Sequence, residues 1–280
     1  MSAALSGPVS GPVEFYLFTT DPDFARTAIA AGVNGLVIDW ERAGKRTRQE
    51  AADTEINEDT VEDLERVRRA TSTRILCRIN PVGAATDGEI EAAVAAGADE
   101  LLLPMVRTPD EVEHALACAR GRVGVGILVE TVDAVARASE LAGLPLARAY
   151  VGLNDLAIER KSPSIFTAVR DGTLERIRRS FDVPFGALGM TLPELGDPIP
   201  CRLLVGELLR LRCAFTFLRR SFRRDVAGRD LDREVSRMHA ATTAAAARSR
   251  KEVERDRKEL EWRIAELESA AIPELARADA

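Results

Sequence analysis

"RAYVGLNDLAIER", residues 148–160, begins as the middle of a buried strand and then changes character. Ala149, Tyr150 and Val151 are apolar or aromatic, Gly152 breaks the run, and a carboxylate, Asp155, follows between Asn154 and Leu156. Outward from this stretch, short apolar runs recur at roughly even spacing: "EFYLFTT" (14–20), "GLVIDWE" (35–41), "RILCRINP" (74–81), "ELLLPMV" (100–106), "VGVGILVE" (123–130), "RAYVGLND" (148–155), "FGALGMT" (185–191) and "AFTFLRRSF" (214–222). Near-continuous apolar strands are what a parallel sheet covered on both faces requires. The segments between them carry helical spacing. "DGEIEAAVAAGA" (87–98) places Ile90, Val94 and Ala98 four residues apart. "TPDEVEHALACARG" (108–121) opens on a capping Thr108 with Pro109 at the first helical position and closes on Gly121. "TVDAVARASELAG" (131–143) follows the same plan. Alternating strand and helix predicts an α/β protein. Eight units over roughly 220 residues predict a closed (β/α)8 TIM barrel rather than an open doubly wound sheet. No GxGxxG turn follows the first strand, which argues against a dinucleotide-binding fold.

The predicted layout is a disordered leader at 1–12, a barrel domain at 13–228 and a helical extension at 229–280. The extension has no glycine and is rich in Ala, Glu, Lys and Arg; Val253, Leu260 and Leu267 recur every seven residues beside Ile264. That seam suits either a helix packed on its own barrel or an oligomerisation arm. Two connections, 42–60 and 156–172, are long and fall on the strand-to-helix side, where barrels of this class carry chemistry.

Composition narrows the function. The net charge is -6, without the basic excess of a nucleic-acid binder. No apolar run reaches the roughly 18 residues of a membrane span, and no secretion signal opens the chain, so a cytoplasmic protein is expected. The four cysteines, Cys77, Cys118, Cys201 and Cys213, lack CxxC spacing and read as buried free thiols. Only two histidines occur, His114 and His239, so the commonest general base is scarce.

Acids and one arginine collect at the predicted strand ends. Asp39 and Glu41 close the second strand and, two apart, point the same way. Arg78 closes the third, Glu130 the fifth and Asp155 the sixth. Glu130 and Asp155 lie 25 positions apart, about one strand–helix unit, which places them on neighbouring strands and one face. Two such carboxylates repel unless a cation joins them, and an all-oxygen ligand set favours Mg2+ or Mn2+. Capping of the next helix is the other reading of Glu130. Arg78 beside that ion would grip a carboxylate or enolate oxygen, or else would serve as a structural partner of Asp39. Glycine at 152, with Leu153 and Asn154, would let the backbone approach a ligand.

"GLVIDWE", "RIN", "LLLPMV", "LVET" and "GLNDLA", in this order and spacing, make the chain similar to the HpcH/HpaI aldolase and citrate lyase beta-subunit family. The resemblance spans residues 14–226 and implies a phosphoenolpyruvate/pyruvate-type barrel. It implies that Glu130 and Asp155 hold Mg2+ or a similar ion and that Arg78 contacts the substrate carboxylate or carbonyl. The implied reaction makes or breaks a carbon–carbon bond through the enolate of a 2-oxo acid or an acyl-CoA. The aldolase branch carries a histidine after the second strand, where this chain has Glu41 and Arg42. The lyase branch has an acid pair there, partly matched by Asp39 and Glu41, but a lysine after the fourth-strand proline, where this chain has Met105. Glu41 is therefore the expected general base, with Asp39, Arg78, Gly152, Leu153 and Asn154 at the substrate. "FLRRSFRRD" (217–225) puts four arginines after the eighth strand, either at a phosphate or CoA or paired with Asp225 or Asp230 on the surface. A homo-oligomer acting on a small oxo-acid or acyl-CoA is expected. A catalytically reduced barrel serving assembly through its tail, and a (thio)esterase using the same site, are the alternatives.

Overall fold

The computed structural model describes residues 12–42 and 59–278. The expected leader and most of the 42–60 connection lie outside the described residues. Eight parallel strands close on themselves in sequence order: β1 (Glu14–Phe18), β2 (Gly35–Asp39), β3 (Arg74–Arg78), β4 (Glu100–Leu103), β5 (Gly124–Val129), β6 (Arg148–Val151), β7 (Phe185–Gly186) and β8 (Phe215–Phe217). Every predicted apolar run contains one of them. The strands are shorter than the runs, because the last residues of each run turn outward into the loops at the mouth.

The intervening helices are α1 (Pro22–Ala30), α2 (Val61–Ala70), α3 (Thr86–Ala96), α4 (Pro109–Ala119), the short pair α5 (Val132–Ala136) and α6 (Ala138–Ala142), then α7 (Leu153–Glu159), α8 (Thr167–Arg170), α9 (Thr173–Ser180), α10 (Cys201–Arg210) and α11 (Phe222–Asp225). Thr108 caps α4 through a capping box with Glu111, as its sequence predicts. The chain turns out of α4 one residue earlier than expected, with Arg120 itself in the left-handed region at φ 51.

Side chains alternate along a strand, so each strand sends every second residue into the lumen. One apolar layer fills its middle: Tyr16, Val37, Leu76, Leu102, Leu128, Tyr150, Phe215 and Phe217. The rest of the core lies between strands and helices. Two residues back from Leu76, Leu102 and Tyr150 stand Arg74, Glu100 and Arg148, at the N-terminal ends of their strands. Two residues forward from Val37, Leu76 and Leu128 stand Asp39, Arg78 and Glu130, at the opposite mouth. The lumen is thus apolar in the middle and ionic at both ends.

The lower end joins an ion pair to aromatic rings, with Arg148 Nη1 left without a hydrogen-bond partner among the described residues. Arg148 pairs with Glu100 through Nε and, at 3.0 Å, through Nη2. Its guanidinium lies 4.7 Å from the Tyr16 ring centroid and 4.6 Å from that of Phe215. The Tyr16 hydroxyl donates to Glu14 at 2.8 Å. Space for Tyr16 comes from Gly35, where a Cβ would sit 2.4 Å from the ring.

After β8 come α12 (Leu231–Ala246) and α13 (Arg250–Ala278). Helix α12 packs between α1 and α10 and completes the outer ring. Helix α13 lies over α10 and α8, with Leu260 and Ile264 buried. Arg257 reaches from it to Glu207 and to the Val169 carbonyl, the latter at 2.9 Å. The apolar seam read from the sequence is therefore occupied by the chain's own barrel. No helix among the described residues is long and apolar enough to cross a membrane.

Glu100→Gln leaves Arg148 charged at the lower end of the lumen with half its partner gone. Losing one member of a buried ion pair costs about 3–5 kcal/mol. Urea unfolding should show that loss as a lower midpoint at unchanged slope, and the opening at the opposite mouth should keep its ligands.

Candidate active site

The parallel register places Asp39 directly beside Arg78. Arg78 Nε and Nη2 donate to the two Asp39 oxygens at 2.8 and 2.7 Å, a bidentate pair. Asp39 is completely buried, and the Glu41 backbone N–H donates to its Oδ1 at 3.2 Å. Glu41 Oε2 lies 3.4 Å from Arg78 Nη1, so both acids of the second strand end contact one guanidinium. Burial pulls the Arg78 pKa down, but Asp39, Glu41 and Glu130 outweigh it and hold the group far above its usual value. Arg78 is a fixed cation, oriented in the plane that Asp39 sets.

Glu130 follows β5 and is buried. It does not cap the next helix; Thr131 does, donating its hydroxyl to the Val106 carbonyl and accepting from the Ala134 N–H. The Glu130 carboxylate instead accepts from the Met105 N–H at 2.8 Å. Met105 has φ 54, a left-handed backbone that a side-chain-bearing residue seldom adopts. The other Glu130 oxygen lies against Gly152: a Cβ there would sit 2.1 Å from Oε2. Gly152 is the inward position two residues after Tyr150. Its φ is an ordinary -81, so the glycine is required by space for Glu130 and not by backbone freedom.

The structure corrects the position of Asp155. β6 ends at Val151, and Asp155 stands in the first turn of α7, three residues inside a helix that Gly152 opens without a side-chain cap. The strand stops early because Gly152 surrenders the lumen to Glu130; the helix turn then carries Asp155 back to the same opening. Both carboxylates line one cavity of about 460 Å3, with Arg78, Gly152, Leu153 and Asn154. Asp39 and Glu41 do not line it; they reach it through Arg78 and, electrostatically, Glu41 acts on Glu130.

The remaining wall is largely apolar: Phe18, Leu128, Tyr150, Ile165, Phe166 and Phe217, with Leu188 at φ 66. Ile165 and Phe166 come from the long 156–172 connection. The four arginines after β8 separate. Arg219 and Arg220 line the cavity, Arg219 donating to the Gly189 carbonyl at 3.1 Å. Arg223 pairs with Asp21 at 2.6 Å, and Arg224 lies 3.7 Å from Asp225. The Met105 amide and the turned-out Leu188 have no signal in the sequence, since a left-handed methionine or leucine is set by the surrounding chain. Both histidines lie away from the cavity: His239 stacks on Phe15 and contacts the Gly32 carbonyl, and His114 sits on α4 beside Asp87.

Burial first, then the charges of Asp155 and Glu41, push the Glu130 carboxyl up to about 8, against the opposing pull of Arg78 and the Met105 amide. A glutamate in the unfolded chain titrates near its ordinary value. The folded protein therefore binds this proton more tightly, and the stability it contributes is complete below about pH 4.5 and lost as the pH rises through about 8. Urea titrations of metal-free protein across that window should show falling stability, with a flatter slope in Glu130→Gln. Gly152→Ala should displace Glu130 and weaken divalent-ion binding with the barrel still folded, as read by calorimetry and far-ultraviolet circular dichroism.

The fold has counterparts among solved structures. The chain resembles citrate synthase SbnG at 18% identity and TM-score 0.54, over 84% of this chain and 93% of that one. It resembles RipC from Yersinia pestis at 15% identity and TM-score 0.51, over 86% of this chain and 98% of that one. These likenesses concern the fold. A search of curated proteins returns no match. The model of the HpcH/HpaI aldolase/citrate lyase family matches residues 13–164, a span running from β1 past the Glu130 and Asp155 carboxylates, and the chain belongs to that family.

Proposed function

We propose that the barrel is a divalent-metal-dependent carbon–carbon lyase acting through the enolate of a 2-oxo acid or an acyl-CoA. One observation carries this reading: two carboxylates, Glu130 and Asp155, line one cavity with the guanidinium of Arg78. The donor set suits a hard divalent ion. All ligands are oxygen, and the raised Glu130 pKa expresses first its burial and then the charges of Asp155 and Glu41, an uncompensated negative charge that such an ion would neutralise. Glu130 and Asp155 would hold Mg2+ or Mn2+, which when bound polarises the donor carbonyl as a Lewis acid.

The chain's own groups supply the rest. Arg78 has Nε and Nη2 committed to Asp39 and Nη1 beside Glu41, and its cavity-facing edge would meet the donor carboxylate or carbonyl oxygen. Asp39 is then a positioning residue: it fixes the plane of the guanidinium. In the cleavage direction a base takes the hydroxyl proton of the substrate, the carbon–carbon bond breaks, and its electron pair becomes the enolate that Arg78 stabilises. With both histidines elsewhere, the base is a carboxylate; we assign Glu41, which stands behind Arg78 at 3.4 Å, outside the cavity lining, and would take the proton through one bridging water. The apolar wall of Phe18, Ile165, Phe166 and Phe217 excludes water from that charge and suits an acceptor with an apolar or aromatic body.

Asp155→Asn should abolish Mn2+ binding by calorimetry while leaving the fold intact. Wild-type protein with Mg2+ should release pyruvate from 4-hydroxy-2-oxo acids, or acetyl-CoA from a hydroxyacyl-CoA, with the matching carbonyl product seen by mass spectrometry. Arg78→Lys should lower kcat/KM by about 10²–10³-fold, because it removes a preorganised oxyanion donor. Unchanged metal affinity in Asp155→Asn, or unchanged turnover in Arg78→Lys, would end this reading.

A further inference from the structure

A second cluster of metal-ligating side chains lies on the outer wall of the barrel, where α3 packs beside α4. His114 and Cys118 are four residues apart on α4, one helical turn, and so present their heads on one face. Asp87, in the first turn of α3, meets both. Its Oδ1 lies 2.8 Å from His114 Nε2 and 3.2 Å from Cys118 Sγ, and Sγ lies 3.8 Å from Nε2. None of the three lines the Glu130–Asp155 cavity.

The spacing matches a tetrahedral ion. Zinc bonds of about 2.0–2.3 Å at tetrahedral angles put such ligand atoms about 3.3–3.6 Å from one another. Each observed separation is within about 0.6 Å of that range, and the side chains are free to make the adjustment because His114 and Asp87 are solvent-exposed. The site is also the only place where a thiol is offered. Cys118 alone of the four cysteines is not buried, contrary to the reading of all four as buried thiols. Packing explains Cys77, Cys201 and Cys213; it does not explain Cys118. No arginine neutralises Asp87 among the described residues. Arg122, reaching the same stretch of α4, is committed to Glu91 at 2.7 and 2.6 Å and to the Cys118 carbonyl.

We propose that Asp87, His114 and Cys118 form a separate binding site for a borderline-soft divalent ion of the zinc class, tying α3 to α4. One nitrogen, one oxygen and one sulfur select zinc or cobalt over magnesium, as an all-oxygen site does not. Three protein ligands leave a fourth position for water. Binding displaces the Cys118 proton to solvent, so the ion meets a thiolate.

The test uses the full chain with Zn2+ and Co2+ as probes. Wild-type protein and Asp155→Asn should each bind one equivalent of Zn2+ at this site, with a raised thermal midpoint. Co2+ should give the near-ultraviolet thiolate-to-metal absorption, and Zn2+ should protect the one accessible thiol from alkylation. Cys118→Ser and His114→Ala should lose the absorption and that equivalent while keeping Mg2+ binding at the barrel mouth. Retention of the Zn2+ equivalent in both variants, or absence of the Co2+–thiolate absorption in wild-type protein, would overturn the proposal.

Discussion

Closure of the barrel is the constraint on which the rest depends. Eight strands that close in sequence order send every second side chain into one narrow lumen. Water is largely excluded there, so a charge that enters must find a partner. The register settles which partners meet. Asp39 and Arg78 are cross-strand neighbours at the mouth, and Glu100 and Arg148 are neighbours across the lower end, with β5 between their strands. The two pairs resemble each other chemically and differ in setting. Arg148 lies against the Tyr16 and Phe215 rings, and its pair floors the lumen above a polar cleft lined also by Ser72, Arg74 and Asp99. Arg78 borders a cavity of about 460 Å3, so the same kind of pair there presents a fixed cation to whatever enters.

The acids at the mouth are held apart from that pair by size. Gly152 stands at the next inward position beyond the sixth strand and fills none of it, and Glu130 takes the vacated space. This single exchange ends the strand, turns the chain into α7 and carries Asp155 to the cavity. The left-handed Met105 aims a backbone N–H at the same carboxylate. Strained backbone next to a functional group is a common arrangement, since the surrounding structure has to over-determine it. Here the Met105 amide fixes one oxygen of Glu130 and favours its charged form, while burial and the charges of Asp155 and Glu41 outweigh it and raise the carboxylate's proton affinity.

The helical tail illustrates how an isolated pattern is under-determined. A seven-residue repeat of Val253, Leu260 and Leu267 fits a partner helix or the chain's own surface equally well. Burial of Leu260 and Ile264 against the barrel, reinforced by Arg257 bridging to Glu207, assigns that face to intramolecular packing. The same limit applies to Cys118. A thiol in a helical segment reads as core until the neighbouring helix, distant in sequence, brings Asp87 beside it.

The sequence by itself determined the fold and the chemical types at the mouth. Eight apolar runs alternating with amphipathic segments allow little else, because a parallel sheet needs a crossover helix after each strand and cover on both faces. The strand-end positions of Asp39, Arg78 and Glu130 follow from the period of two along a strand. Tertiary structure alone decided what those groups do to one another. It put Asp39 under Arg78, gave Glu130 the space of Gly152, moved Asp155 from a strand end into a helix turn, and drew Ile165, Phe166 and Arg219 into the cavity wall. The sequence offered the Asp39–Arg78 pair, the 156–172 connection and the arginines after β8 only as open alternatives; register, volume and loop closure between residues far apart in the chain chose among them, and no local pattern encodes the space that Gly152 yields to Glu130.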